Sequence, residues 1–283
     1  MKYSVIIPTF NRIKTLERAI ESVLCQTLPA EQLIVVDDGS IDGTFDWLQQ
    51  RYLNNHHSRV FVIHQKNSGV SAARNKGFEK TSTDWVALLD SDDEWLPQKM
   101  QKQADEIEKT GLRVCHSEEI WIRDGARVNP KRKHRKNRGN IFHDCLKLCA
   151  MSPSAIVLHR SIWEEFNGFD ESFIVCEDYD LWLRICNEYS VALVDEPLIR
   201  KYGGHADQLS RQYFGMDKYR IIAMQKLLGV VEQKDKVLSL RKEIEEKLMV
   251  LYKGALKHQN NELIAFCEER YSLFNIQKIN HIN

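Results

Sequence analysis

No stretch of this 283-residue chain approaches the roughly 18 to 20 consecutive apolar residues that a membrane-spanning helix needs. A bilayer is therefore expected to be met only from outside. The chain also lacks a charge excess: Lys and Arg number 40, as do Asp and Glu, so no global field points to nucleic acid or to an acidic surface. Seven cysteines (Cys25, Cys115, Cys145, Cys149, Cys176, Cys186 and Cys267) are scattered without a C-x-x-C pair, which argues against zinc and redox motifs and for a reducing, cytoplasmic setting. The opening MKYSVIIPTF carries too short an apolar run for a secretory signal. Internal repeats and low-complexity tracts are absent. With 43% hydrophobic and 28% charged residues, what remains is a globular composition with length for one large core and a smaller appendage.

What is present is an alternation of two periods. Residues 3–7 and 33–36 form short runs rich in β-branched side chains, and between them residues 15–24 place apolar side chains at helical spacing. The alternation continues with helices near 44–52 and 70–80 and strands at 60–63 and 85–89, which predicts a parallel or mostly parallel sheet with helices on both faces. Further helices are expected at 98–110, 141–149, from Ser161 and over 178–188, with strands at 113–116 and 155–158. Residues 127–140 hold seven Lys or Arg and no acid, and read as an exposed loop. Beyond Asp195 the pattern is less regular, with Gly203 and Gly204 marking a turn. The last sixty residues read as helical: Val237, Leu240, Ile244, Leu248, Leu251 and Ala255 make one apolar stripe, expected to pack on the main domain or on a second copy. The division expected is 1–210 for the sheet domain and 211–283 for a helical extension.

Ligands of open α/β sheets bind beyond the carboxyl ends of the strands. There the sequence places Pro8-Thr9-Phe10-Asn11-Arg12, Asp37-Asp38-Gly39-Ser40, Asn67-Ser68-Gly69 and Asp90-Ser91-Asp92-Asp93. The last run crowds carboxylates that repel one another unless a cation sits among them. On an extended segment Asp90 and Asp92 would project to one side and suit Mg²⁺ or Mn²⁺, hard ions that bridge one or two carboxylates to phosphates. The bland alternative is that Asp92, Asp93 and Glu94 favour the start of a helix at Pro97. Likewise, the Asp37–Asp38 run reads equally well as a turn that caps the next helix.

Taken together and in order, SVIIPTFNR, IVVDDGSIDGT, NSGVSAARNKG, ALLDSDDEW, GFDE and CEDYDLWLR, spanning residues 4–184, resemble the family 2 glycosyltransferases, whose nucleotide-sugar-binding half has the GT-A fold. GGHADQLS over 203–210 also looks like the tail segment of some members. The resemblance implies an α/β, GT-A type, mostly parallel sheet flanked by helices, with a helical C-terminal extension. It implies a metal-dependent enzyme, using Mn²⁺ or Mg²⁺, that moves a sugar from a nucleotide-diphosphate sugar, UDP-linked, to an acceptor hydroxyl with inversion, in cell-surface polysaccharide or glycan biosynthesis. By the same resemblance Asp92 is the principal metal ligand, Asp93 a second candidate and His205 an extra one, while Asp90 serves the ribose or the metal. Asp38 accepts from a uracil-like base, with Asp37 or Arg74 ordering the site. Pro8, Thr9, Asn11, Arg12, Arg74 and Glu177 complete the nucleotide-sugar contacts, and Arg74 is equally readable as a structural ion pair. Asp178, opening a helix, is the general base that takes the acceptor's proton; as a first-turn acid it also suits a helix start.

Lys201 and Arg211 are placed where they could meet phosphates. The basic residues 131–138 suit an anionic acceptor such as a lipid-linked diphosphate sugar, though a solvated face is the simpler reading. Trp95, Trp121 and Trp182 are candidate stacking plates for a sugar, with Trp182 better suited to core. The partners expected are the nucleotide sugar and a glycan or lipid-linked acceptor, with no nucleic acid, peripheral contact at the inner face of the membrane, and self-association through the C-terminal helices. Two rivals stand beside this reading. A nucleotidyl or phosphoryl transferase would want a glycine-rich, lysine-bearing loop after the first strand, where 8–12 have no glycine. A non-catalytic nucleotide-sugar binder or scaffold would lack the metal or base acids.

Overall fold

Short β-branched runs and amphipathic helices alternate from the start of the chain: β1 (Tyr3–Thr9), α1 (Leu16–Leu24), β2 (Gln32–Asp37), α2 (Thr44–Leu48), β3 (Val60–His64), α3 (Val70–Lys80) and β4 (Trp85–Leu88). The structure is a computed structural model and describes residues 1–53, 59–128, 134–204 and 215–274. The four strands are parallel, in the order β3-β2-β1-β4. There follow β5 (Glu94–Trp95), α4 (Lys99–Thr110), β6 (Val114–Arg123), β7 (Ala126–Val128), α5 (Phe142–Lys147), β8 (Val157–His159), α6 (Arg160–Glu165), α7 (Glu177–Glu188) and β9 (Ala192–Gly203). Three helices complete the described residues: α8 (Asp217–Leu228), α9 (Lys234–Lys257) and α10 (Asn261–Leu273). The sheet continues past β4 through β8, β6 and β9 to β5, with β7 hairpinned on β6. Here β8 runs antiparallel to β4 and β6, and β9 runs parallel to β6.

The period of two sorts the strand residues onto two faces. Val5, Ile7, Val35 and Ala87 pack with Leu16 and Ile20 of α1 and Met100 of α4, whereas Ile6, Val86 and Leu88 pack with α5 to α10. Fully burying such a side chain contributes about 1.5–3 kcal/mol. Helix α3 lies close on β1 because Gly77 offers no side chain: a Cβ there would stand 2.5 Å from Ile6 Cγ2. The apolar stripe of α9 is buried at Leu240, Ile244, Leu248, Leu251 and Ala255, and all but the last share a cluster with Trp182 and Leu183 of α7. The extension thus packs on the main body of the chain. The expected boundary at 210 falls outside the described residues.

Four local expectations change. Helix α2 ends at Leu48 and passes into a π turn over Gln49–Leu53. The strand expected at 113–116 runs on to Arg123, and the stretch beyond Asp195 belongs to the long strand β9. Pro197 hides that strand from a pattern reading, since proline is tolerated in sheets mainly at edges and bulges; it pairs with Glu118 where the β6–β9 register shifts. The run Asp90 to Asp93 is a turn rather than an extended segment, closed by Asp93 N–H donating to Asp90 O at 3.0 Å.

Candidate active site

Pro8 helps to open the crevice. Ile6 O accepts from Leu89 N–H at 3.1 Å, so Ile6 faces β4; two residues on, Pro8 faces the same way with no N–H to offer, and the β1–β4 ladder stops. Thr9 O then accepts from Asp38 N–H at 2.8 Å, while the buried Thr9 hydroxyl has no partner among the described residues. Asn11 adopts a left-handed φ of 52°, and its Oδ1 accepts from Ile41 N–H at 2.8 Å, which locks the loop after β1 to the loop after β2. Arg12 donates its N–H to Thr44 Oγ1 at 3.3 Å.

At the end of β2, Asp38 is buried and takes three donors, Gln65 Nε2, Ser68 N–H and Gly69 N–H, each at 2.8 Å. It organises the loop after β3. Gly39, at φ 77°, has room only for hydrogen, because a Cβ would stand 2.8 Å from Asn67 N. Asp37 is bonded by His64 Nδ1 at 2.7 Å and by Ser40 N–H at 3.3 Å. The turn reading of this run is correct, but it caps no helix: α2 starts after Gly43 without a side-chain cap.

Beyond β4 the acids separate by direction. Asp90 accepts from Arg74 Nη2 at 2.8 Å, and Nη1 of the same buried guanidinium lies 2.7 Å from Glu177 Oε1. Arg74 is therefore a clamp between two acids of the site and pairs with neither Asp37 nor Asp38. Asp93 turns inward, with Oδ2 accepting from Ser154 Oγ at 2.6 Å and Oδ1 from Tyr202 N–H at 3.0 Å. Burial pushes its carboxyl well up, against the pull of Lys201. Asp92 accepts from Arg18 Nη2 at its backbone carbonyl, and its carboxylate takes no hydrogen bond from a side chain among the described residues. Burial and then Asp90 push its carboxyl up, while Arg12 and Lys201 oppose them. These acids do not start α4, which begins at Lys99 after Gln98 and has no acid in its first turn.

No group of three His, Cys, Asp or Glu side chains gathers into a metal cage among the described residues. Mg²⁺ and Mn²⁺ bound through phosphates need only one or two carboxylates from the protein. Asp92 and its neighbour Asp90 form such an oxygen-only pair, so the residues fit the ion. His205 and Arg211 lie outside the described residues, as do residues 131–133 of the basic run.

Beside Arg74 and Arg12, a third cation near these carboxylates is Lys201 of β9. Its Nζ donates to Ser152 Oγ at 2.8 Å. Burial disfavours the ammonium, but Glu119, Asp93, Asp90 and Asp178 outweigh it and raise its pKa. Glu119 gains in turn: burial disfavours its charge, yet Lys136 and Lys201 bring it down to about 2. Lys136 is drawn inward to Ser117 O at 2.9 Å and Glu119 Oε2 at 3.0 Å, so this part of the basic run is no solvated face.

Helix α7 presents the last acids. It follows Cys176, whose φ of 62° is rare for a residue with a side chain. Glu177 points in to Arg74, while Asp178 is partly exposed, with Oδ1 accepting from Tyr179 N–H at 2.7 Å and Oδ2 lying 3.1 Å from Cys149 Sγ. Trp95 and Trp182 are core residues, and Trp121, half-buried, donates to Glu119 Oε1 at 2.7 Å. Cys149, Ser152 and Ser154 carried no signal in the sequence, since their stretch has neither period nor motif.

The fold and site together are those of an open α/β sheet with an acid-lined crevice at the carboxyl ends of its strands. The chain belongs to glycosyl transferase family 2, whose model matches residues 4–166. It is 31% identical over 211 residues to an uncharacterized glycosyltransferase of Rickettsia felis, covering 72% of this chain and 33% of that protein. It thus spans about a third of the length of that relative. A second relative is the UDP-Glc:alpha-D-GlcNAc-diphosphoundecaprenol beta-1,3-glucosyltransferase WfgD of Escherichia coli, 28% identical over 68% of this chain and 72% of that one. In fold the chain is similar to residues 1–349 of S. aureus TarS in complex with UDP-GlcNAc, at a TM-score of 0.70 and 18% identity over 89% of this chain and 73% of that one. It is also similar to the mannosyltransferase PcManGT of Pyrobaculum calidifontis in complex with GDP-Man and Mn²⁺, at a TM-score of 0.63 and 13% identity over 98% and 81%.

Proposed function

We propose that this protein transfers a sugar from a nucleoside-diphosphate donor, UDP-linked, to an acceptor hydroxyl with inversion. The observation that carries the reading is the convergence of Asp92, Lys201 and Asp178 at one end of the sheet: a carboxylate that takes no side-chain hydrogen bond among the described residues, a cation that among them donates only to Ser152, and a partly exposed acid at a helix start. Asp38 and the loops around Asn11 and Arg12 hold the nucleotide, and Asp90 meets the ribose side while Arg74 and Glu177 fix its direction. Asp92 with Asp90 would hold Mn²⁺ or Mg²⁺, which would supply positive charge for a departing diphosphate. Lys201 adds a second positive charge from the protein itself. Asp178 takes the proton of the acceptor hydroxyl as its oxygen bonds to the anomeric carbon, and the bond to the diphosphate breaks with its electron pair leaving on phosphate oxygen. Asp93 acts as the anchor of the acidic turn.

A lipid-linked glycan acceptor at the inner face of the membrane is part of the proposal. It is supported by the acceptor that WfgD's name states and by the exposed Arg135 and Arg138 of the basic run. The test is a thermal-shift series with UDP, GDP and dTDP, each with and without Mn²⁺, followed by UDP-sugar hydrolysis under the same conditions. A ligand at a hundred times its Kd stabilises by about 2.7 kcal/mol. UDP with Mn²⁺ should raise Tm and UDP-sugar should be slowly hydrolysed; no shift with any of the diphosphates would overturn the reading.

A further inference from the structure

Between α5 and β8 the chain passes the crevice, and three of its side chains reach three parts of the site. Ser154 Oγ donates to Asp93 Oδ2 at 2.6 Å and accepts from Asp90 N–H at 3.1 Å. Ser152 Oγ accepts from Lys201 Nζ at 2.8 Å. Cys149 Sγ stands 3.1 Å from Asp178 Oδ2 and 3.1 Å from Met151 O.

We propose that Cys149 is a positioning residue for sugar transfer, its thiol holding the Asp178 carboxylate in the plane that faces the acceptor hydroxyl. A thiol has one proton to give. Of its two acceptors the carbonyl is neutral and the carboxylate is charged, and a hydrogen bond to a charged acceptor is the stronger. The terminal torsion of an aspartate is broad, so a carboxylate fixed at one oxygen sweeps through a range of directions. Here Oδ1 is fixed by Tyr179 N–H and Oδ2 by the thiol, and the two bonds set the plane. Proton transfer needs that direction as much as it needs the acid, because the base must stand within hydrogen-bond reach of the hydroxyl. The thiol keeps its own proton throughout; the acceptor's proton goes to the carboxylate. Lys201 supplies charge nearby, but among the described residues it makes no hydrogen bond to Asp178 and cannot set the plane.

This inference rests on Asp178 being the base, and the test separates the two. Cys149→Val and Cys149→Thr have the same shape and differ in one hydroxyl donor. Losing a hydrogen bond to a charged group corresponds to about a tenfold fall in rate. The Val variant should therefore lose about tenfold in kcat with the donor KM and UDP binding unchanged, and the Thr variant should recover most of the loss. Equal kcat in the Val and Thr variants, whether high or low, would overturn the role of Cys149. The control is Asp178→Asn. If it keeps turnover, the assignment of the base is wrong; if it is inactive while Cys149→Val turns over like wild type, the base stands and the cysteine inference fails.

Discussion

Arg74 Nη1 lies 2.7 Å from Glu177 Oε1, joining helix α3 to helix α7 across 103 positions of sequence. Its other arm reaches Asp90, so one guanidinium holds the turn after β4 and the start of α7 in a fixed relation. Both Arg74 and Glu177 are buried. Burial pushes the Glu177 carboxyl up, and Arg74 resists it. Removing one partner of a buried pair strands the other, at a cost of about 3–5 kcal/mol. Arg74→Met should accordingly lower stability by about 3 kcal/mol in a urea titration. The double variant Arg74→Met, Glu177→Gln should recover part of that loss, because Glu177, the more buried of the two acids, no longer carries a charge without a partner, and only the partly exposed Asp90 is left unpaired by Arg74.

The strands and helices before residue 90 were legible because both faces of the sheet are buried and each βα unit repeats the same two periods. The acids of the site could be listed from the sequence, but not sorted. Asp90, Asp92 and Asp93 look alike in a row of letters; a turn closed by Asp93 N–H sends one to Arg74, one to the crevice and one to Ser154 and Tyr202. Contacts from distant chain decide that sorting. Asp93 and Ser154 are 61 residues apart and Asp93 and Tyr202 are 109, separations over which no local pattern operates. Strand β9 was hidden for a different reason, since Pro197 breaks its pattern at the bulge opposite Glu118.

Asp92 and Asp178 should separate binding from chemistry. Asp92→Asn removes the carboxylate that would hold the metal, so the Mn²⁺-dependent part of the Tm shift with UDP should disappear and turnover should fall by about a hundredfold or more. Asp178→Asn keeps the shape of the side chain and removes its proton affinity. A positioned base contributes about 10²–10⁴ in rate, so kcat should fall by that factor while the UDP shift with Mn²⁺ stays near wild type. Calorimetric nucleotide titration and donor-turnover assays on both variants check the contrast; a normal kcat in Asp178→Asn would reassign the base.

Lys201 should matter most when no divalent ion is present. Its ammonium faces Glu119, Asp93, Asp90 and Asp178 and is anchored by one bond to Ser152. Lys201→Met leaves these carboxylates repelling one another, and a buried charge stripped of its partner costs about 3–5 kcal/mol. The variant should unfold at a lower temperature in EDTA. Mn²⁺ should then stabilise it more than it stabilises the wild type, since the ion enters a site that has lost its resident cation. Equal Mn²⁺ shifts in the two proteins would show that the lysine and the ion do not share a field.

Lys99 is a buried cation with a pH signature of its own. Its Nζ sits 3.9 Å from the centre of the Trp95 ring and donates to Gln103 Oε1 at 2.6 Å, below the chain that carries Ser154. Burial brings its pKa from 10.5 down to about 7, with Cys115 pulling the other way and Lys136 adding to the fall. In the unfolded chain the amine keeps its proton up to a pH of about 10.4. Between those two values the unfolded state binds more protons than the folded state, so this group's contribution to stability rises with pH across the window and is lost as pH falls to about 7. Lys99→Met removes the penalty without opening a large cavity. Its gain in denaturation midpoint should be greatest at a pH of about 6.5 and should shrink steadily by a pH of about 9, measured in urea at fixed ionic strength. A gain that grows with pH would mean that the amine is stabilised in its charged form by Trp95 and Gln103, and that burial is the weaker influence.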